Sequence, residues 1–262
     1  MARKINTTEL LRLISIIRNV FSRVNDPRKA GKNFSHDVCN TLIAGLAMMF
    51  FQEPSMFEFQ KRLQERRGTS NLKTIFGVEE APKKSQFGRI LDNLCPVEVQ
   101  KAFRPVISEF QKTRIWSNYR VLDGRYAVLF DGFEYFRSNN VKCKHCLKFE
   151  HKDGRIDYAH KALAASIAHP TAKLPLPLML EEIRCEDGFE KQDCEYNSAK
   201  RLIPKIIKSY PHLDMIFVGD GLFSNVPMVE LLKEHNASYI LVAKPGNHKS
   251  MMRDIDGRKS VV

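Results

Sequence analysis

The feature that most constrains the fold of this chain is a change in hydrophobic pattern near residue 119. Before it, apolar residues recur at the three- and four-residue spacing of amphipathic helices, as at Leu10, Leu13 and Ile17. After it, short apolar runs alternate with turn residues in the order strand, strand, strand, helix, strand, helix, strand. Short links predict an antiparallel meander, and strand–helix–strand units predict parallel neighbours in the same sheet. We therefore expect an α-helical domain at residues 1–118 and an α/β domain with a mixed five-stranded sheet at 119–262.

Positive charge is concentrated in the helical part of the chain. The 262 residues include 42 Lys and Arg against 30 Asp and Glu, which gives a net charge of +12. Residues 1–120 hold +10 of this excess and residues 121–262 hold +2. A basic amino-terminal part predicts a polyanionic partner such as double-stranded DNA. A solvated basic surface is the alternative.

The sequence predicts neither a membrane span nor a secreted protein. Its longest uncharged stretch, residues 38–52, has 15 residues, and a spanning helix needs about 18–20. The start of the chain lacks the apolar run and cleavage site of a secretory signal. Its six cysteines are scattered, which favours a reducing compartment. We expect a cytoplasmic protein, associated with the nucleoid if it binds DNA.

Two of the predicted strands are followed by the dipeptide Asp-Gly. Asp131 follows the run 126–130, and Asp220 follows the run 215–219. In open α/β sheets the ligand crevice lies at the carboxyl ends of strands. If these two strands are neighbours, the carboxylates converge and suit a hard cation such as Mg²⁺ or Mn²⁺, a pair of which supports in-line phosphoryl transfer. The alternative is that both aspartates only begin loops, because Asp-Gly is a common turn dipeptide.

Several segments of the chain share their pattern with one family. In the second part they are VLFDGFEYF, YAHKALAASI, PLPLMLEEI, EDGFEKQDCEYNSAKRLI, VGDGLFSN and YILVAKPGNH. Together they resemble the DDE transposases of bacterial insertion sequences. The front segments FFQEPSMFEFQKRL, NLKTIFGV and SQFGRILDNL resemble the amino-terminal part of one such group.

That resemblance implies a fold, an activity and two site residues. It implies a ribonuclease H-like catalytic core that uses Mg²⁺ or Mn²⁺ to cleave and transfer DNA strands. Asp131 and Asp220 match the first two acids of the family's metal-binding triad. The resemblance also implies element ends and target DNA as partners, and a homo-oligomer.

The third acid of the family has no clear counterpart. The family places it, usually as Glu, on a helix after the last core strand, and the 19 residues after Ala243 contain no Glu. Asp254 and Asp256 lie there, but the surrounding sequence resembles a segment that the group inserts before that helix. The resemblance therefore implies a truncated chain, which we expect to be unable to complete transposition. The alternatives are a silent DNA-binding fragment or an inhibitor of full-length transposase, and a nuclease of the same fold.

Cys143 and Cys146 form a Cys-x2-Cys pattern, which can supply two of the four ligands of a zinc ion. The candidates for the other two ligands are His151, His160, Cys185 and Cys194. Because no second pair occurs at regular spacing, free thiols on a loop between strands are the preferred interpretation and zinc is the alternative.

Basic residues also cluster at a short helix predicted over 85–94. Lys83, Lys84 and Arg89 lie beside Gln86 there. A helix with Gln and Arg near its start can enter a major groove while the surrounding lysines bind phosphates. A solvated helix face is the alternative.

Overall fold

The computed structural model describes residues 7–28, 35–184 and 193–259. The chain divides into two units, Met1–Phe110 and Gln111–Val262. Helices build the first unit, and the second is built on a sheet. None of the helices in the described ranges is long and apolar enough to cross a membrane.

The first unit packs short helices around α2. Its helices are α1 (Thr7–Phe21), α2 (Val38–Phe50), α3 (Met56–Gln64), α4 (Arg66–Phe76), α5 (Lys84–Leu91), α6 (Pro96–Gln100) and α7 (Phe103–Gln111). α2 is apolar nearly all round, and its residues Ile43, Ala44 and Ala47 are fully enclosed, whereas Met49 and Phe50 at its end are exposed. Asp37 caps α2 by accepting a hydrogen bond from the backbone N–H of Asn40, at 2.8 Å.

Arg18 of α1 joins three parts of the helical unit. Its guanidinium donates to Oδ1 of Asn40 at 2.7 Å, and to the carbonyls of Phe76 and Gly77 at 2.6 and 3.1 Å. Those carbonyls lie at the end of α4, where Gly77 adopts the left-handed conformation, with φ of 61°. The last carbonyls of a helix have no hydrogen-bond partners within the helix. Here the guanidinium of Arg18 donates to two of them, which would otherwise bind water.

The sheet of the second unit has six strands within the described residues, one more than the sequence predicts. They are β1 (Tyr126–Ser138), β2 (Leu147–Glu150), β3 (Ile156–Ala168), β4 (Leu176–Ile183), β5 (Met215–Gly219) and β6 (Ser238–Leu241). β1 pairs antiparallel with β3 and parallel with β5, which pairs parallel with β6. β2 and β4 both pair antiparallel with β3, along different stretches of it. The additional strand is β2.

Helices cover one face of this sheet. α8 (Glu195–Ser209) packs on β3 and β4 with Leu202, Ile203 and Ile206 fully buried, and α9 (Val226–Glu234) packs against α8 and β6. Along β1, Tyr126 and Val128 are buried. The next helix along the chain is α10 (Lys249–Lys259).

The side chains that alternate with the buried ones on β1 define the exposed face of the sheet. Leu129, Asp131 and Phe133 are all exposed. Because successive side chains of a strand point to opposite faces, these three share one face.

Candidate active site

Asp131 lies inside a strand, which differs from the expectation that a strand ends there. β1 continues to Ser138, and Asp131 pairs with Ala164 of β3. What ends at this point is the pairing with β5, whose last partners are Leu129 and Val218. The carboxyl end of the parallel pair, rather than the end of β1, therefore determines where Asp131 lies.

The register of β1 and β5 places the two aspartates at equivalent positions. Leu129 is opposite Val218, and Asp131 and Asp220 each follow two residues later. Neighbouring strands run about 4.8 Å apart, so the two aspartates follow the paired stretches of adjacent strands at the same end of the pair. Both side chains are exposed. β1 and β5 are therefore neighbours in the sheet. Two carboxylates that follow the paired stretches of these strands can converge on one cation only if the strands are neighbours.

Lys244 is the charged neighbour of Asp220. Its Nζ lies 3.8 Å from Oδ2 of Asp220, and its aliphatic stem passes over Gly221, where a Cβ atom would come within 2.6 Å of Cδ. The other carboxylate oxygen of Asp220 accepts the backbone N–H of Leu222 at 2.9 Å. Since both charged side chains are exposed, this ion pair is weak. The Asp220 carboxylate is therefore held in place but remains accessible.

Glu195 approaches the same region from the covered face, and sequence reasoning did not identify it. Its carboxylate packs against Gly132, where a Cβ atom would overlap it. A side chain at position 132 would point away from the face of Asp131. Glu195 therefore lies beside β1 next to Asp131 in sequence, on the opposite face of the strand. The signal available in the sequence is a Glu in the first turn of the helix that follows β4.

Asp254 and Asp256, the alternatives for a third acid, lie on α10 and are exposed. In the described part of the chain, one group brings three potential ligand atoms of His, Cys, Asp or Glu within 4.8 Å of one another, and Asp131, Asp220, Asp254 and Asp256 do not belong to it. The structure therefore does not bring either α10 aspartate into a three-carboxylate cluster with the acidic pair.

The group that does meet this distance consists of Cys143, Cys146 and His160. Nε2 of His160 lies 3.3 Å from each Sγ, and the two sulfurs are 3.7 Å apart. Burial raises the pKa of the Cys146 thiol above its ordinary value. The register of β3 against β1 brings the histidine here, since His160 is opposite Phe136.

The other ligands considered for the two cysteines lie elsewhere. Nε2 of His151 is 2.9 Å from the carboxylate of Asp157. Cys194 is exposed at the N-cap of α8. Cys185 lies outside the described residues. Of the four candidates, His160 is the one that the structure brings to the thiols.

The predicted DNA-binding residues lie at α5 in the helical unit. Lys83, Lys84 and Arg89 are exposed, while Phe87 and Ile90 of the same helix are buried in the core. Gln86 is half-buried, and its amide donates to Oγ of Ser35 at 3.0 Å. The three cations are therefore accessible, and the amide of Gln86 is engaged within the unit.

Comparisons with known proteins add little to the assignment of these candidate site residues. The sequence matches no protein-family model and no curated protein. A structural likeness is found to the cryo-EM structure of a piggyBac transposase synaptic complex with hairpin DNA, at 13% sequence identity and a TM-score of 0.38. It covers 92% of this chain and 51% of that chain, so this chain spans about half the length of that transposase. A TM-score of this size is too low to carry an argument about fold or function.

Proposed function

We propose that the chain is a DDE-type DNA transposase of a bacterial insertion sequence, a class of enzyme that cleaves and joins DNA strands with the help of Mg²⁺ or Mn²⁺. The observation that supports this best is the equivalent placement of Asp131 and Asp220 at the carboxyl end of the β1–β5 parallel pair. The mixed sheet with flanking helices agrees with the ribonuclease H-like core that the sequence resemblance implies.

The donor set of the acidic pair fits a hard divalent cation. Mg²⁺ in phosphoryl-transfer sites is bound by one or two carboxylates, with waters and substrate phosphates as the remaining ligands. Asp131 and Asp220 supply two exposed carboxylates, open to DNA. When bound, the cation would polarise the scissile phosphate and stabilise the charge that develops on it.

The side chains of this site bind and orient rather than react covalently. In cleavage, a water oxygen forms a bond to phosphorus as the P–O3′ bond breaks, and the released 3′ oxygen ends as a hydroxyl. In joining, that hydroxyl forms a bond to a target phosphorus as another P–O bond breaks. Lys244 can move from Asp220 to a DNA phosphate, because both partners of that ion pair are exposed.

The helical part of the chain has the complementary task in this proposal. Residues 1–118 bind DNA, with Lys83, Lys84 and Arg89 on phosphates, and residues 119–262 carry the catalytic acids. Such contacts position the protein on the duplex without reading its sequence. The partners are double-stranded element ends and target DNA, bound by a homo-oligomer associated with the nucleoid.

A strand-joining assay tests the activity. Labelled duplex oligonucleotides and a supercoiled plasmid are incubated with the full chain and Mn²⁺. Because the third acid of the family has no counterpart here, two aspartates alone hold the second cation of the reaction only loosely, and we expect labelled oligonucleotide to be bound but not joined to plasmid. The effect of Mn²⁺ on this binding should disappear in Asp131→Asn and Asp220→Asn but not in Asp214→Asn, which alters an exposed aspartate of the same unit. Joined product would contradict this expectation and show that the acidic pair suffices, and plasmid nicking without joining would favour a nuclease. Binding that does not respond to Mn²⁺ would favour a DNA-binding module.

A further inference from the structure

We propose that Cys143, Cys146 and His160 bind a zinc ion. This site is separate from the acidic pair, and the proposal does not depend on strand transfer. Three observations carry it: the distances among the ligand atoms, the hydrogen bonds to the sulfurs, and the packing of the histidine ring.

The three ligand atoms are spaced as the corners of a zinc tetrahedron are. With Zn–S bonds of about 2.3 Å and Zn–N bonds of about 2.0–2.1 Å, tetrahedral geometry separates two sulfurs by about 3.8 Å and sulfur from nitrogen by about 3.6 Å. The observed separations are 3.7 Å between the sulfurs and 3.3 Å from each sulfur to Nε2 of His160. A shift of a few tenths of an ångström would place one ion at bonding distance from all three atoms.

A backbone N–H group donates a hydrogen bond to each of the two sulfurs. The N–H of His145 donates to Sγ of Cys143 at 3.3 Å, and the N–H of Cys143 donates to Sγ of Cys146 at 3.2 Å. Such hydrogen bonds fix the ligand atoms and stabilise their negative charge once they are thiolates. The fold of the segment between β1 and β2 therefore presents both sulfurs to the same point.

Packing fixes the imidazole of His160 in advance. The ring of Tyr135 stacks on it at 5.8 Å with an interplanar angle of 17°, and the ring of Phe136 lies at 5.7 Å. The register of β1 against β3 is interrupted between Glu134 and Phe136, which makes Tyr135 the extra residue of a β-bulge. Because the ring is already oriented, less conformational freedom is lost when a metal binds.

The chemistry of the donors selects the metal. Two thiolates and an imidazole suit Zn²⁺ and do not suit Mg²⁺, which prefers oxygen ligands. Within the ranges that the structure describes, no fourth Cys, His, Asp or Glu joins the group inside 4.8 Å. A water molecule can take the fourth position, as in sites with three protein ligands.

The ion would fasten the β1–β2 connection to the face of the sheet that carries Asp131. Asp131 is opposite Ala164 of β3, and His160 lies four residues along β3 on the same face. At about 3.3 Å per residue the two positions are about 13 Å apart. Zinc would thus hold one side of the surface on which the acidic pair lies, without ligating the reacting groups.

Metal analysis of the full chain, purified under reducing conditions without chelator, tests the proposal. We expect one zinc per chain, and at least a tenfold lower zinc content in Cys143→Ser, Cys146→Ser and His160→Gln. Matched controls are His151→Gln, in the same hairpin, and Cys194→Ser, an exposed thiol; both should retain the metal. A chelator should lower the melting temperature of the wild type and of the controls but not that of the three ligand variants.

Cobalt substitution keeps the test decisive if a ligand variant fails to fold. Co²⁺ added to the metal-free wild type should produce thiolate-to-cobalt charge transfer and the intense visible bands of a tetrahedral site, and Zn²⁺ should abolish them. Absence of these bands would overturn the proposal. So would a zinc content that the three ligand substitutions leave unchanged, or a Cys143–Cys146 disulfide in a chain that binds no zinc when reduced.

Discussion

At the scale of single residues, Gly219, which precedes Asp220, is packed against the core of the sheet unit. A Cβ atom there would lie 3.0 Å from Cδ2 of Leu241 and 3.0 Å from Cβ of Phe223. Because Gly219 is buried and Cβ of Phe223 cannot withdraw without moving its backbone, Gly219→Ala should lower the free energy of unfolding by about 1–3 kcal/mol. Urea denaturation measures this. Gly246→Ala, with nothing within 4 Å, is the control, and an equal loss in both variants would contradict the packing argument.

Lys244 gives a prediction about charge at the same site. In the absence of a cation, its ammonium partly neutralises Asp220, so a divalent ion must compete with it. An exposed pair of this kind contributes about 0–1 kcal/mol. Lys244→Gln should therefore strengthen Mn²⁺ binding by up to about fivefold, while DNA binding weakens through the loss of a phosphate contact. Calorimetric Mn²⁺ titration measures the first effect, and weaker Mn²⁺ binding by the variant would show that Lys244 does not oppose the cation.

Individual site residues differ in how far the sequence predicts them. Asp131 and Asp220 can be identified from the sequence because each follows an apolar run and precedes a glycine. This local pattern does not depend on how the rest of the chain folds. His160 could not be selected over His151 in this way, since the choice depends on the register of β1 against β3. Glu195 was missed because its proximity to Gly132 arises from helix packing, which no local pattern encodes.

At the scale of helices and strands, Arg18 of α1 connects that helix to α2 and to the end of α4. Its guanidinium donates to two carbonyls at the end of α4 and to Asn40 of α2. Hydrogen bonds from a charged group contribute about 1.5–3 kcal/mol, and Arg18→Leu leaves the acceptors without this donor, so unfolding should become easier by about that amount.

Thermal denaturation of the full chain checks the effect of Arg18→Leu. Arg23→Leu is the control, because the Arg23 side chain is exposed and contacts Asn19 at 3.5 Å. We expect a change within about 0.5 kcal/mol for the control. If both variants lost the same stability, the network around Arg18 would not be the cause.

The order and type of most elements follow from hydrophobic pattern, whereas their extents do not. The sequence predicts that β1 stops at Phe130, because Asp-Gly commonly begins a turn. It continues to Ser138 because β3 is equally long and supplies hydrogen-bond partners along that whole stretch. β2 was missed for a related reason: its four residues, LKFE, carry little hydrophobic signal and are a strand only because β3 pairs with them.

At the scale of the whole molecule, the distribution of charge predicts how the proposed binding of DNA depends on salt. Each phosphate contact releases counterions, so the slope of log K against log salt changes by about 0.9 per contact on duplex DNA. Replacing Lys83, Lys84 and Arg89 by Ala should therefore reduce the slope by up to about 2.7. Replacing Lys208 and Lys233, exposed lysines of the other unit, should leave it unchanged. A slope that responds equally to both sets would place the DNA contacts elsewhere.

In the proposed function, Asp131 and Asp220 together hold a divalent cation that also contacts DNA. If so, metal and DNA must strengthen each other's binding, because the coupling between two ligands is reciprocal. The most direct test compares the DNA affinity of the full chain in Ca²⁺ or Mn²⁺ with its affinity in chelator, within each variant. We predict about tenfold tighter binding with metal for the wild type and for Asp214→Asn, and no metal effect for Asp131→Asn or Asp220→Asn. A metal effect that persists in both aspartate variants, or its absence from the wild type, would contradict the assignment.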